Sequence, residues 1–152
     1  MSILALDCAT KTGWCLLKDG RVFESGVEDF SKRRGESNGA MFLRFRHWLN
    51  QLVDRDDVHL VAYEQSHHRG GAATEIGVNL TGRVQEVCAQ SQVEYVAVHT
   101  ATIKKYATGK GNADKTVMIA KAAEVLGRQP LDDNEADAVM LGLYAFQVYG
   151  MR

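Results

Sequence analysis

Two short apolar runs in this chain stop abruptly at an acid. Ile3-Leu4-Ala5-Leu6 ends at Asp7, and Val58-His59-Leu60-Val61-Ala62-Tyr63 ends at Glu64. Both runs are rich in residues that fit a buried pleated surface, whereas aspartate and glutamate are depleted from strands and seldom bury without a partner. If the second run forms a central strand beside the first, the two acids lie side by side at one end of the sheet. Like charges so placed raise each other's proton affinity and repel, unless a cation fills the space between them.

The pattern around these runs sets the fold class. Gly13-Trp14-Cys15-Leu16-Leu17-Lys18 and Arg21 to Val27 are strand-like and are separated by Asp19-Gly20, a hairpin signal, so the first three strands are expected as an antiparallel meander. From Met41 the period changes: Met41, Phe42, Phe45, Trp48, Leu49, Leu52 and Val53 recur at steps of three and four, as on one face of a helix. A second helix is expected over Ala72 to Gln90 and a strand over Val93 to Val98. Two last helices are expected from near Asn112 and from near Asp133 to Tyr149, with Asn112 and Asp132 or Asp133 as N-caps. The order β-β-β-α-β-α-β-α-α predicts an α/β fold, a mixed sheet with helices on its faces.

No repeat or Pro/Gly/Ser linker divides the 152 residues, so residues 1–152 read as a single domain. A chain of this size buries roughly 68–70% of its unfolded surface and needs no metal to hold a core; a metal here would serve chemistry. Cys8, Cys15 and Cys88 are far apart and fit no zinc spacing, so they read as reduced thiols. No apolar run approaches the roughly 20 residues of a membrane span, and a cytoplasmic location is expected. With 18 Lys+Arg against 19 Asp+Glu, the net charge of -1 argues against a general nucleic-acid coat protein while allowing a local basic groove.

A third acid, Asp137, sits in Glu135-Ala136-Asp137-Ala138-Val139-Met140-Leu141, the start of a helix apolar almost all round. Such a helix packs on several sides, so this acid faces protein or a cavity. The plainer readings remain open: Asp7 as a turn cap or partner of Lys11, and Asp137 as a complement to the helix dipole, a role that Asp132, Asp133 and Glu135 fit equally. Taken together, oxygen-only carboxylate ligation points to Mg²⁺ or Mn²⁺ rather than zinc. Such sites serve phosphoryl chemistry with two ions roughly 3.5–4 Å apart, and phosphodiester hydrolysis is the leading expectation.

Leu4-Ala5-Leu6-Asp7 followed by Ala9-Thr10-Lys11-Thr12-Gly13-Trp14, Tyr63-Glu64-Gln65 at a strand end, the Lys104 to Lys115 segment, and Ala136-Asp137-Ala138 opening the last helix occur in an order that resembles one family. The chain resembles the RuvC-type Holliday junction resolvases of the ribonuclease H-like superfamily, in the form carried by phages and prophages. The resemblance spans nearly the whole chain. It implies a five-stranded mixed sheet, three antiparallel strands followed by two parallel ones, with helices on both faces. It also implies a homodimer presenting two active sites to a four-way DNA junction, and nicks with 5′-phosphate and 3′-hydroxyl ends.

Carried over by position, the resemblance makes Asp7, Glu64 and Asp137 metal-binding catalytic acids, with Asp7 bridging two ions. The family's further acid or histidine, one turn before the last Asp, is Asn134 here. Its carbonyl oxygen, or the carboxylate of Asp133 at i−4 from Asp137, is a candidate ligand in its place. Lys115 matches a lysine near the scissile phosphate, where it would offset developing charge. Lys104, Lys105, Lys110 and Lys115 form a basic island containing one acid, Asp114, and the loop His67-His68-Arg69 matches one that reaches into the junction, with His67 placed to stack on a base. A solvated loop face is the plain alternative for both segments.

Competing functions share parts of the pattern. Actin-like ATPases and sugar kinases also open with a strand, an acid and a small-residue turn, but they need a duplicated domain; no phosphate-binding G-x-x-x-x-G-K-[ST] loop occurs and no nucleotide cofactor is expected. A flap or branched-DNA nuclease of relaxed specificity, an RNA:DNA hybrid nuclease, or a junction-binding module without turnover would each use the same fold.

Overall fold

In the computed structural model, which describes residues 1–65 and 71–150, the first hairpin forms where two strand-like runs meet at the Asp19-Gly20 turn. Strands β1 (Ser2–Asp7), β2 (Lys11–Lys18) and β3 (Arg21–Asp29) are antiparallel neighbours. The turn residues carry φ of 51° and 82°, the left-handed pair that matches hairpin twist. Strands β4 (Leu60–Glu64) and β5 (Glu94–Val98) extend the sheet on the other side of β1, parallel to it, giving the order β3-β2-β1-β4-β5. Parallel pairing needs long crossovers. Here they contain α1 (Asn38–Arg55) and α2 (Ala72–Ser91). The chain then closes with α3 (Thr100–Thr108), α4 (Lys115–Leu126) and α5 (Asp133–Tyr149).

Three expectations about the helices need correction. The segment Thr100–Thr108 is helical, adding an element to the expected order. The first helix begins at Asn38, capped by the Ser37 hydroxyl, before its apolar stripe starts. The fourth begins at Lys115, capped by the Asp114 carboxylate on the Val117 amide, so Asn112 is not its cap. The mixed five-stranded sheet with helices on both faces stands as expected. The three cysteines are free thiols. No helix among the described residues is long and apolar enough to cross a membrane.

Because β1 is central, both of its faces are covered. Ile3 and Ala5 point into a core shared with Ile103, Met118, Ala122 and the inner face of α5, while Leu4 and Leu6 point into a second core with Phe45, Leu49, Leu80 and Val84 of α1 and α2. Burying each such leucine or isoleucine contributes roughly 1.5–3 kcal/mol. A one-residue slip of β1 would exchange the two sets, so its register is firmly fixed.

Helix α5 lies directly on β1 and β2 because two glycines leave room for it. A Cβ at Gly13 would come 2.0 Å from the Asn134 carbonyl oxygen, and one at Gly142 would come 2.3 Å from Leu17 Cδ1. The Asn134 side-chain amide donates to the Lys11 carbonyl at 2.7 Å, and Asp132 caps the helix through the Glu135 amide at 2.9 Å. Glu135 is fully buried, yet its carboxylate accepts from both Arg128 nitrogens at 2.7 and 3.1 Å, from Ser25 at 2.7 Å and from the Leu131 amide at 2.6 Å. Burial opposes its ionisation, but these donors outweigh burial and hold its pKa below the ordinary value.

Two stability predictions follow from this docking. Gly13→Ala should destabilise by roughly 1–3 kcal/mol or more, because backbone on both sides must separate. Arg128→Ala should cost roughly 3 kcal/mol by stranding a buried carboxylate, near the low end for such a loss because Arg128 is itself 45% exposed. Urea denaturation of the two variants against wild type checks both; a midpoint unchanged by either would refute the corresponding contact.

Candidate functional site

Period-two alternation carries both strand-end acids to the α5 side of the sheet. Along β1, Asp7 continues the face of Ile3 and Ala5; along β4, Glu64 continues that of Leu60 and Ala62. The parallel pairing runs through Leu6 and Tyr63, so the next residue on each strand is an acid. On the other side of β1, Asp7 pairs with Gly13, the residue on which the first turn of α5 rests. That contact brings Asp137 to Asp7. One carboxylate oxygen from each of Asp7, Glu64 and Asp137 lies within 4.8 Å of the others. A cleft of about 200 Å³ opens from Asp7 and Glu64 past Cys8 and Gln65 to Ala73, Thr74 and Gly77 on α2.

The charges show strain of a kind that packing alone does not explain. Burial, then the charges of Glu64 and Asp137, raise the Asp7 pKa well above the ordinary carboxylate range. Burial and Glu64 push Asp137 up to about 7, with Asp133 adding to the shift while a hydrogen bond with Asp7 and the charge of Lys104 reduce it. The Cys8 thiol is raised by burial and by the same two neighbours, Asp7 and Glu64. No ion pair joins Asp7 to Lys11 among the described residues; the acid meets two other acids instead. Three carboxylates gathered in this way are hard oxygen donors that could hold a metal ion.

The remaining candidates divide. Asp133 turns to Lys115, whose Nζ lies 3.2 Å from its Oδ2, and stands outside the three-carboxylate group. Asn134 commits its amide nitrogen to β2. Lys104 lies half-buried on α3 with its charge felt by Asp137, whereas Lys105, Lys110 and Lys115 are exposed. His67, His68 and Arg69 fall outside the described residues. Arg44 is bound to Glu36 through two nitrogens at 2.6 and 2.8 Å and to the carbonyls of Phe30 and Ser31, so it anchors the connection between β3 and α1.

Sequence reasoning missed Thr100, whose hydroxyl donates to Glu64 Oε1. The available signal was positional: Thr100 stands just past the end of β5, as Glu64 closes the neighbouring β4.

Comparison with known proteins agrees with this fold. No family model matches the chain. The crossover junction endodeoxyribonuclease RuvC of Mycobacterium tuberculosis is 27% identical over 154 aligned residues, covering 94% of this chain and 80% of that protein. Thermus thermophilus RuvC, in its structure in complex with Holliday junction substrate, superposes with a TM-score of 0.83 at 19% identity over 99% of this chain and 96% of that one. The Fowlpox virus resolvase, in a complex with substrate Holliday junction DNA, gives 0.64 at 14% identity over 97% and 98%. By sequence, then, this chain is similar to crossover junction endodeoxyribonuclease RuvC, and its fold is that of the solved RuvC structures.

Proposed function

We propose that the chain is a metal-dependent endonuclease that resolves four-way DNA junctions by hydrolysing phosphodiesters, with water as the nucleophile. The observation that carries this reading is the convergence of three carboxylates, Asp7, Glu64 and Asp137, at the carboxyl ends of β1 and β4, within the RuvC fold, with the proton affinities of Asp7 and Asp137 raised. Asp7 has both Glu64 and Asp137 as close neighbours, so it would be the carboxylate to serve two ions, with Glu64 and Asp137 each holding one side. A hard divalent cation, Mg²⁺ or Mn²⁺, supplies Lewis-acid activation of water and neutralises phosphate charge when bound there, and two ions per site fit the donor set.

The protein's own groups complete the proposal. Lys115 opens α4 beside Asp133 and is placed to offset charge on the scissile phosphate. Asn134 and Asp133 are secondary candidates, since each already has a partner in the fold. Lys104, Lys105 and Lys110, with His67, His68 and Arg69, are proposed to contact the DNA, largely through phosphates that position it without reading sequence. A homodimer in the cytoplasm, built from a single nuclease domain, completes the reading by likeness to its relatives.

Cleavage assays on a four-way junction, a linear duplex, a flap and an RNA:DNA hybrid, each with Mg²⁺, Mn²⁺ or EDTA, test the substrate class. Paired nicks confined to the junction are expected. Preferred cleavage of flaps or hybrids would move the function within the fold, and tight junction binding without cleavage would make the chain a binding module. Asp7→Asn should lower cleavage by on the order of 10³-fold or more while sparing junction affinity. Wild-type rates in that variant would refute the metal assignment.

The raised carboxyls also fix the sign of a pH effect. A group whose pKa is raised on folding binds its proton more tightly in the folded chain, so its stabilising contribution is complete at low pH and fades as pH rises. For Asp137 that window runs from the ordinary value of 3.8 up to about 7, and Asp7 shifts in the same direction. The lowered Glu36, at about 2, acts in the opposite sense and below this window. In EDTA, the melting temperature should therefore fall between pH 5 and pH 7, and Asp137→Asn should flatten the decline. Added Mg²⁺ should restore more stability at pH 7.5 than at pH 5; an equal Mg²⁺ effect at both would contradict the site.

A further inference from the structure

We propose that Thr100 is a positioning residue for Glu64: its hydroxyl fixes the carboxylate so that the group presents its remaining lone pairs to a divalent cation shared with Asp7. This rests on the reading that the three acids hold such a cation.

The argument begins with side-chain length. Asp7 and Asp137 have short side chains, brought together by the Gly13 contact. Glu64 carries an extra methylene, and a free glutamate gives up more rotamer entropy than an aspartate when it is fixed. Of the three, it is the acid that most needs an outside donor. The backbone supplies the place for one. The Gln65 amide donates to the Val98 carbonyl at 2.8 Å, continuing the β4–β5 ladder past Glu64 and holding its Cα against the end of β5. The chain then turns directly into α3, where Thr100 is the first helical residue. From there its Oγ1 donates to Glu64 Oε1.

A hydroxyl donor suits this task. It occupies one carboxylate oxygen without adding a positive charge that would compete with the cation. The amino end of the nine-residue α3 adds a mild attraction for the carboxylate from the same side. Outer hydrogen bonds to ligating groups typically govern metal affinity by 10–100-fold.

The test uses the full chain and Mn²⁺ as the probe, with binding measured by titration calorimetry and by electron paramagnetic resonance of free Mn²⁺. Wild type, Thr100→Val, Thr100→Ser and Asp7→Asn are compared, and melting temperatures are recorded in EDTA. Thr100→Val preserves shape and should bind Mn²⁺ about tenfold more weakly. Thr100→Ser should restore affinity, and both should melt in EDTA as wild type does. In cleavage assays the Mg²⁺ requirement of Thr100→Val should rise while saturating Mg²⁺ recovers most of the rate. Wild-type Mn²⁺ affinity in Thr100→Val, with binding lost in Asp7→Asn, would overturn the role of Thr100 alone. Equal weakening in the Ser and Val variants would overturn it too, by assigning the effect to packing. If wild type binds no better than Asp7→Asn, the metal reading itself fails and takes the proposal with it.

Discussion

The first turn of α5 rests on the bare backbone of β2 at Gly13, and the site depends on that contact. Gly13 pairs with Asp7 across the β1–β2 ladder, so the same residue that admits the helix also sets how far Asp137 stands from Asp7. The approach is held by the Asn134 amide on Lys11, by the Asp132 cap, and by the buried Glu135 carboxylate that gathers Arg128, Ser25 and the Leu131 amide. Ser25 lies 110 residues from Glu135 in sequence, so the third strand, the α4–α5 connection and the last helix close around one ion pair. A buried pair of this kind adds little net stability over apolar packing, but breaking it is costly. Its effect is to fix where α5 begins.

Within a few residues of one another, two acids of α5 are treated in opposite ways. Glu135 is surrounded by donors and stays ionised although no part of it reaches solvent. Asp137, two residues later, is left facing other carboxylates, and its pKa rises. Burial and the neighbouring carboxylates outweigh what Asp7 and Lys104 offer Asp137, and this contrast with Glu135 is what supports the proposed site. The adjoining cores supply the stability that this repulsion removes.

The parts legible in the sequence were those governed by short-range periodicity. Short apolar runs marked β1 and β4 and ended each at its acid, and parallel adjacency of the two was enough to place Asp7 beside Glu64. The helical period gave the inner faces of α1, α2 and α5. Helix α3 was not legible because it is only nine residues long, opens on Thr100 and buries only Ile103; its lysines read as a loop. The fourth helix was displaced for a related reason, since Asn112 and Asp114 are both competent caps and only tertiary packing chose Asp114. The bonds from Ser25 to Glu135 and from Thr100 to Glu64 span 110 and 36 residues, which no local pattern encodes.

The charge distribution also orders the events at the site. A phosphodiester is an anion, and it must approach a corner that already holds Asp7, Glu64 and Asp137, with Asp133 close behind. The lysines nearest this corner are partly engaged: Lys115 lies against Asp133, and the charge of Lys104 is felt by Asp137. Neither can neutralise the corner and the incoming phosphate together. Protonation could relieve the repulsion, but it would also remove the oxygen donors that make the corner useful. On the proposed reading, a cation held by Asp7, Glu64 and Asp137 would relieve the repulsion and keep the donors, and the lysines would be left to meet the phosphate.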